Sequence, residues 1–240
     1  MPSKRKAMIS TAKFSAEEID TAHRLFEMER VKEIDLSSIY SAGIYCILAI
    51  GDRWITAERT HRKIKKRFKT PEYTITHLKE LRPYLDSIRW YNEKFIYIKN
   101  FSLWWVGTKA ELPLQILNDL QNGREKEFEL RNAFAKGAPG FQEKGASLLL
   151  LKLGYENVVP VDHWESIFLK SMGYDIKVGD YKTVSGPRGK EYLEYESIIR
   201  EFAEKQGIKP YIFHLALLAR NSRSSKLLGM LRDSDAITTA

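Results

Sequence analysis

The chain has one cysteine in 240 residues, Cys46. A lone thiol excludes an intrachain disulfide, a cysteine zinc site and a four-cysteine iron–sulfur cluster. Its setting in the apolar run IYCILAI marks it as a small buried hydrophobe. Long hydrophobic runs are also lacking. None reaches the roughly eighteen residues a lipid-spanning helix needs, and the basic start MPSKRK leads into TAKFSAEEID rather than an apolar signal segment. The expectation is a soluble, cytoplasmic protein with no membrane partner. There is no glycine-rich dinucleotide fingerprint and no strand–helix alternation, so a doubly wound sheet is not indicated. His23, His61, His77, His163 and His214 show no tight ligand spacing, so no metal site is expected. Internal repeats and low-complexity blocks are absent.

What is present is a globular composition with a basic surplus. Hydrophobic residues make up 43% of the chain, enough to build a sizeable core. Against 31 Asp and Glu stand 39 Lys and Arg, a formal charge of +8. That surplus suits an anionic partner but equally a solubilising surface, so the placement of the charge has to decide.

Almost every periodic segment reads as helix. Ser15 and Glu18 form a capping box opening a helix over about 16–30. Asp35 and Ser37 open an apolar helix through SSIYSAGIYCILAI that ends near Gly51. Thr56 is positioned to cap AERTHRKIKKRFK, which runs to Thr70-Pro71, where proline interrupts a helical ladder. Further helices are predicted at about 76–82, 88–105, 112–121, 124–136, 142–153, 162–172, 191–206 and 210–220, with short strands an option at Val158-Val159 and Lys177-Val178. The fold class is all-α: a single helical unit over 1–232, built of two interleaved lobes around a cleft. A surface loop is expected at 179–190, and 233–240 reads as a flexible tail.

The charge concentrates in one predicted helix. Arg59, Arg62, Lys63, Lys65, Lys66, Arg67 and Lys69 supply seven positive charges around Ile64 and Phe68, which form its core-facing stripe. Arg62 and Lys66 are candidate phosphate contacts, whose affinity would be sequence-blind; a solvated helix face gives the same pattern. Around IRWYNEKF and Trp104-Trp105, aromatic side chains gather beside polar ones, with Trp90, Lys94, Ile98 and Phe101 near one stripe.

The segment 126–153 is different in kind. Two amphipathic stretches, KEFELRNAFAK and FQEKGASLLLLKLG, are joined by Gly137-Ala138-Pro139-Gly140, too short a link for anything but a helical hairpin. Gly140 permits a tight turn, and the amides of Phe141, Gln142 and Glu143 at the second helix start could meet a phosphate. Gly137, Pro139, Gly140, Phe141 and Gln142 are therefore candidate DNA contacts. Ala146 allows close helix approach, and Leu148, Leu149 and Leu151 fill the core. Lys144 follows the turn, and Asp162 lies eighteen residues beyond it, before HWESIFLKSMG. The intervening helix rises roughly 15 Å. The stretch YENVVPV can run back along it, leaving Asp162 to cap the next helix. An amine can act as a nucleophile, and at carbon of the aldehyde oxidation level it forms a Schiff base.

APGFQEKGASLLL followed by VPVDHW resembles the helix-hairpin-helix DNA glycosylase superfamily, in which a hairpin lysine and a downstream aspartate have this eighteen-residue separation. More loosely, the resemblance runs from the Cys46 helix through IRWYNEKFIYIKNF to GIKPYIFHLALLAR. It implies an all-helical, two-lobed, nucleoid-associated monomer that binds duplex DNA carrying a damaged base and flips the nucleotide out of the stack. Lys144 matches the lysine of the bifunctional members, and Asp162 matches the aspartate on which the family depends. KGASLLLLKLGYENVVPVD looks most like archaeal-type 8-oxoguanine glycosylases. Three positions depart from the pattern: Gln142 stands where a second hairpin glycine is usual, Gly145 where threonine is frequent, and His163-Trp164 where many relatives place histidine two residues past the aspartate. The lone cysteine sets the chain apart from the iron–sulfur branch. No cofactor is required on this resemblance, although hairpin carbonyls could hold a structural cation. Trp54, Tyr91, Trp104, Trp164, Phe213 and His214 are candidate walls of a base pocket, each equally readable as core or rim.

The activity implied is excision of 8-oxoguanine through a Lys144 Schiff base, followed by β-elimination. The alternatives are an oxidised-pyrimidine glycosylase/lyase, a monofunctional glycosylase for alkylated or other damaged bases, and a noncatalytic hairpin DNA-binding protein.

Overall fold

A computed structural model describes residues 13–52, 54–176 and 186–221. Every regular element among them is an α-helix: α1 (Ala16–Glu29), α2 (Leu36–Ala49), α3 (Trp54–Lys65), α4 (Pro71–Thr76), α5 (Leu78–Leu85), α6 (Tyr91–Gly107), α7 (Glu111–Gln121), α8 (Glu127–Gly137), α9 (Glu143–Lys152), α10 (His163–Ser171), α11 (Gly189–Lys205) and α12 (Pro210–Asn221). The chain divides into two compact units. One is the continuous segment Val31–Pro160; the other combines the chain before Val31 with the chain from Val161 onward.

The continuous unit is built on α2. Asp35 caps it, accepting from the Ser38 amide at 2.7 Å, while Ser38 Oγ accepts from the Asp35 amide at 2.8 Å. From Ile39 to Leu48 nearly every side chain is buried, Cys46 included. Gly43 lets α6 approach, because a Cβ there would lie 2.6 Å from the Phe101 ring. Tyr40 stacks on Phe101 at 5.7 Å, and its hydroxyl lies 2.6 Å from Ser102 Oγ. Lys94 is also buried, donating to the Leu48 carbonyl at 2.7 Å and to Asp52 at 3.3 Å. Burial pulls its ammonium pKa down to about 8, against the pull of the Asp52 carboxylate.

The discontinuous unit holds α1 and α10 to α12. The capping box at Ser15 and Glu18 is formed, and Arg220 of α12 grips Glu18 through two nitrogens at 2.6 and 2.9 Å. The Arg220 hydrogen bond holds the Glu18 carboxyl below its usual range. Phe14, Phe213, Phe168 and Phe202 form a run of edge-on rings 5.0–5.4 Å apart.

Several expectations need correction. Thr56 caps nothing: α3 already begins at Trp54. The basic helix stops at Lys65, yet Phe68 stays buried because its amide still reaches the Ile64 carbonyl at 2.9 Å. Pro71 does not merely end a helix; it starts α4 at the first turn, where no intrahelical amide is needed, with Thr70 as cap. Helix α6 begins at Tyr91 rather than 88, after Trp90 in a left-handed conformation (φ 54°). Val158 and Val159 form no strand and are fully buried in a loop. Lys177-Val178, most of the expected 179–190 loop and the expected tail lie outside the described residues.

Candidate functional site

The hairpin is closed by backbone hydrogen bonds and packed by aromatic rings, and buried Arg131 of α8 donates to Ser147 of α9 at 3.4 Å. At the end of α8 the Ala138 amide donates to the Phe134 carbonyl (3.0 Å), and the Phe141 amide donates to the Ala138 carbonyl (3.1 Å), closing the turn. Gly140 has φ +84°, and a Cβ on it would lie 2.9 Å from Tyr97 Cβ, so both conformation and space require glycine. Phe141 is buried between Phe101 (5.3 Å) and Phe134 (5.4 Å). These contacts correct its expected role: its ring anchors the hairpin and its amide serves the turn. Gln142 is the exposed N-cap of α9 and its side chain makes no cap hydrogen bond. At Gly145 a Cβ would lie 3.5 Å from Phe141, in ordinary contact. Gly137 is exposed, and a Cβ there would meet nothing within 4 Å; Pro139 is half-buried.

Lys144 is exposed on the first turn of α9. Behind it Ala146, Leu149 and Leu150 are fully buried. The same unit carries the basic segment, of which Lys63, Lys65, Lys66, Arg67 and Lys69 are exposed. Arg62 is half-buried and paired with Glu58 at 2.9 Å, and Arg67 with Glu80. Burial pushes the His61 imidazole down to about 4, so it adds nothing to this charge at neutral pH.

Beyond α9 a buried carboxylate sets the path of the chain. Glu127, in the first turn of α8, accepts the Asn157 amide (2.7 Å), the Asn157 side-chain amide (2.8 Å) and the Val158 amide (2.8 Å). Tyr155 is buried and donates to Asp119 at 2.8 Å. Desolvation and that carboxylate raise the phenol well above its usual value. The loop is thus pinned twice before Pro160.

Asp162 lies in the discontinuous unit, where it is the N-cap of α10. Its Oδ1 accepts the Trp164 amide at 2.9 Å. Its own amide donates to Glu165 Oε2 (3.0 Å), and Glu165 Oε1 lies 2.7 Å from His214 Nδ1. Glu165 is fully buried. Burial first, then the nearby Asp162 carboxylate, raises its pKa, against the opposing effect of His214. Sequence reasoning does not single out Glu165; the spacing Asp162-x-x-Glu165 is the capping-box signal that could have found it.

The six pocket candidates are divided between the units. Phe213 is not a pocket wall: it is fully buried between Phe14 and Phe168. His214 is engaged by Glu165, and Trp104 packs on Phe101 and Phe134 (both 5.7 Å), bracing the hairpin core. Trp54 is half-buried, with Nε1 lacking a hydrogen-bond partner among the described residues. Tyr91 is exposed under the Arg82 guanidinium, and half-buried Trp164 meets His163 edge-on. Among the described residues no group of three His, Cys, Asp or Glu could hold a metal, and no helix is long and apolar enough to cross a membrane.

Comparison with known proteins gives consistent results. Solved structures with the same fold include the 8-oxoguanine glycosylase/lyase of Methanocaldococcus jannaschii in complex with a 15-mer DNA containing 8-oxoguanine. It is 20% identical, with 85% of this chain and 90% of that one aligned and a TM-score of 0.61. The 8-oxoguanine DNA glycosylase of Thermotoga maritima is 21% identical over 85% and 87% of the two chains (TM-score 0.59). A trapped endonuclease III–DNA covalent intermediate is 18% identical over 84% and 82% (TM-score 0.53). No curated protein matches significantly. Residues 21–208 match the family model described as 8-oxoguanine DNA glycosylase, Ogg-HhH, a span containing both the hairpin and the capped aspartate, and the chain belongs to that family.

Proposed function

We propose that the protein is a bifunctional DNA glycosylase and apurinic/apyrimidinic-site lyase that excises 8-oxoguanine, with Lys144 as nucleophile and Asp162 as its acid–base partner. The observation that carries this reading is an exposed lysine on the first turn after a rigid hairpin, in a chain whose family match also spans an N-capping aspartate eighteen residues on. The deprotonated Nζ of Lys144 attacks C1′ as the C1′–N9 bond breaks and the base leaves with the bonding pair, and Asp162 assists by accepting the ammonium proton or by stabilising the positive charge that develops on the sugar. Opening of the C1′–O4′ bond gives the imine. Loss of a C2′ proton then expels the 3′ phosphate, nicking the strand on the 3′ side of the lesion. None of these steps needs a cofactor, and a cation at the hairpin carbonyls would serve structure alone.

The hairpin residues Gly137, Pro139, Gly140 and Gln142, with Lys66 and the partly neutralised Arg62, supply phosphate contacts that position the duplex without reading its sequence. Trp54, Tyr91, Trp104 and Trp164 are the remaining stacking candidates. The enzyme acts as a monomer on nucleoid DNA in the cytoplasm.

The test is a panel of duplexes carrying 8-oxoguanine, oxidised pyrimidines or alkylated purines, scored together for base release and borohydride trapping. We expect release and a trapped adduct with 8-oxoguanine, and neither nicking nor adduct from a folded K144Q variant. Full nicking by K144Q would sink the lysine assignment. Base loss with no adduct in the parent protein would make the enzyme monofunctional, and DNA binding with no release from any lesion would make it noncatalytic.

A further inference from the structure

Among the described residues the chain forms three capping boxes, at Ser15–Glu18, Asp35–Ser38 and Asp162–Glu165. The first two do their work near the surface. Glu18 reaches the Ser15 amide at 2.7 Å with its side chain still 21% exposed, and Asp35 is exposed outright. Capping a helix therefore does not require burying the acidic partner, and burial of a carboxylate is unfavourable unless its oxygens are fully engaged. Glu165 is nonetheless buried, its side chain 1% exposed. One oxygen takes the Asp162 amide and the other faces His214, 49 residues away on α12. The pair joins the N-terminus of α10 to a helix whose body, from Pro210 to Leu217, is buried throughout.

We propose that Glu165 and His214 are positioning residues for base excision: they lock the Asp162 backbone to the core of its own unit and so fix the direction of the Asp162 side chain. This rests on the reading of Asp162 as the reaction's carboxylate. The backbone of Asp162 is extended (φ −125°, ψ −156°), and its Oδ1 meets the Trp164 amide. Rotation about these bonds carries the carboxylate away from a nucleotide held elsewhere by the DNA. Glu165 opposes that rotation through the amide, and His214 holds Glu165 in turn. Neither residue touches substrate in this scheme. A carboxylate suits the task because it offers an acceptor on each oxygen, one to the peptide and one to the ring. Glutamine keeps one acceptor for the Asp162 amide and can turn its amino group towards a neutral imidazole nitrogen, whereas methionine fills the space and keeps neither contact.

The test measures single-turnover base release at saturating enzyme, alongside duplex affinity and thermal melting, for E165M, E165Q and D162N and for E165M combined with D162N. We expect E165M to slow release by about tenfold to a hundredfold, the scale of a small misplacement of a reacting group, with affinity changed less than about twofold. E165Q should recover most of the rate. On the D162N background E165M should slow release no further, because residues acting as one unit are not additive. Should E165M fail to fold, H214F, which fits a core already rich in rings, carries the same expectation of slowed release that vanishes on D162N. Parental release by the folded variant, or an undiminished loss on D162N, would overturn the positioning role while leaving Asp162 in place. Parental release by D162N itself would remove the carboxylate assignment and the positioning role with it.

Discussion

The hairpin that presents Lys144 and the helix start that presents Asp162 differ in what dominates their construction. Around Lys144 the work is done by shape: Phe141 wedged between two rings, a glycine forced into a left-handed turn against Tyr97, and a buried Ala146 and Leu149 beneath an exposed lysine. Around Asp162 it is done by hydrogen bonds running from the cap through Glu165 to His214. On the proposed reading, a nucleophile that must reach a sugar carbon needs a stiff base and a long flexible arm, which the packing beneath Lys144 supplies. A short carboxylate has no such arm, so its backbone has to be placed, and directional bonds place it better than non-directional packing does.

The largest effects should separate the two sites by chemistry. K144Q should abolish the trapped adduct and nicking, because no other step replaces the imine. D162N should keep the fold, since asparagine is as good a cap as aspartate, yet slow base release by about a hundredfold to ten-thousandfold, the range of a lost acid–base group. Rapid-quench measurement of release, scored apart from DNA affinity, checks this. Equal behaviour of the two variants in both assays would erase the distinction drawn between them.

A smaller effect is expected where the hairpin meets the loop leading towards Asp162. E127A removes the acceptor of two backbone amides and a side-chain amide, leaving buried donors unpaired at about 1–3 kcal/mol each. Partial hydration of the loosened loop should hold the total near about 3 kcal/mol, read by urea unfolding. G140A should cost less, about 1–3 kcal/mol, from the left-handed backbone and the contact with Tyr97. It should also weaken duplex binding, whereas E127A, remote from the turn, should change affinity little once folded protein is compared.

These residues also show what can be read from one dimension. Local polar logic is legible: Ser15 with Glu18, Asp35 as a cap, Gly140 as the residue of the turn, and Asp162 before its helix all follow from short spacings with a fixed geometry. Pro71 reads two ways, because proline breaks a helix interior but favours a first turn, and which applies depends on whether Thr70 turns out to be a cap. The burial of Phe213 is not legible in the sequence, because aromatic type says nothing about which face of α12 is covered. Glu127 with Asn157, thirty residues apart, and Glu165 with His214 join distant segments, so no local window contains both members.

The smallest effect concerns a second lysine and tests whether exposure or basicity selects the nucleophile. Lys94 has the depressed pKa often associated with a reactive amine, about 8, but its side chain is 1% exposed and donates to Leu48 and Asp52. Above pH 8 the folded chain releases this proton while the unfolded chain keeps it up to the ordinary lysine value near about 10.4. The unfolded state then binds more protons, so stability rises with pH through that window, by about 1–3 kcal/mol from this group. Below pH 8 the burial penalty is present in full. A K94M variant should therefore flatten the rise in urea midpoint between about pH 8 and 10 while leaving borohydride trapping intact. Loss of the adduct in folded K94M would mean that the buried amine, rather than the one raised on the hairpin, had been doing the chemistry.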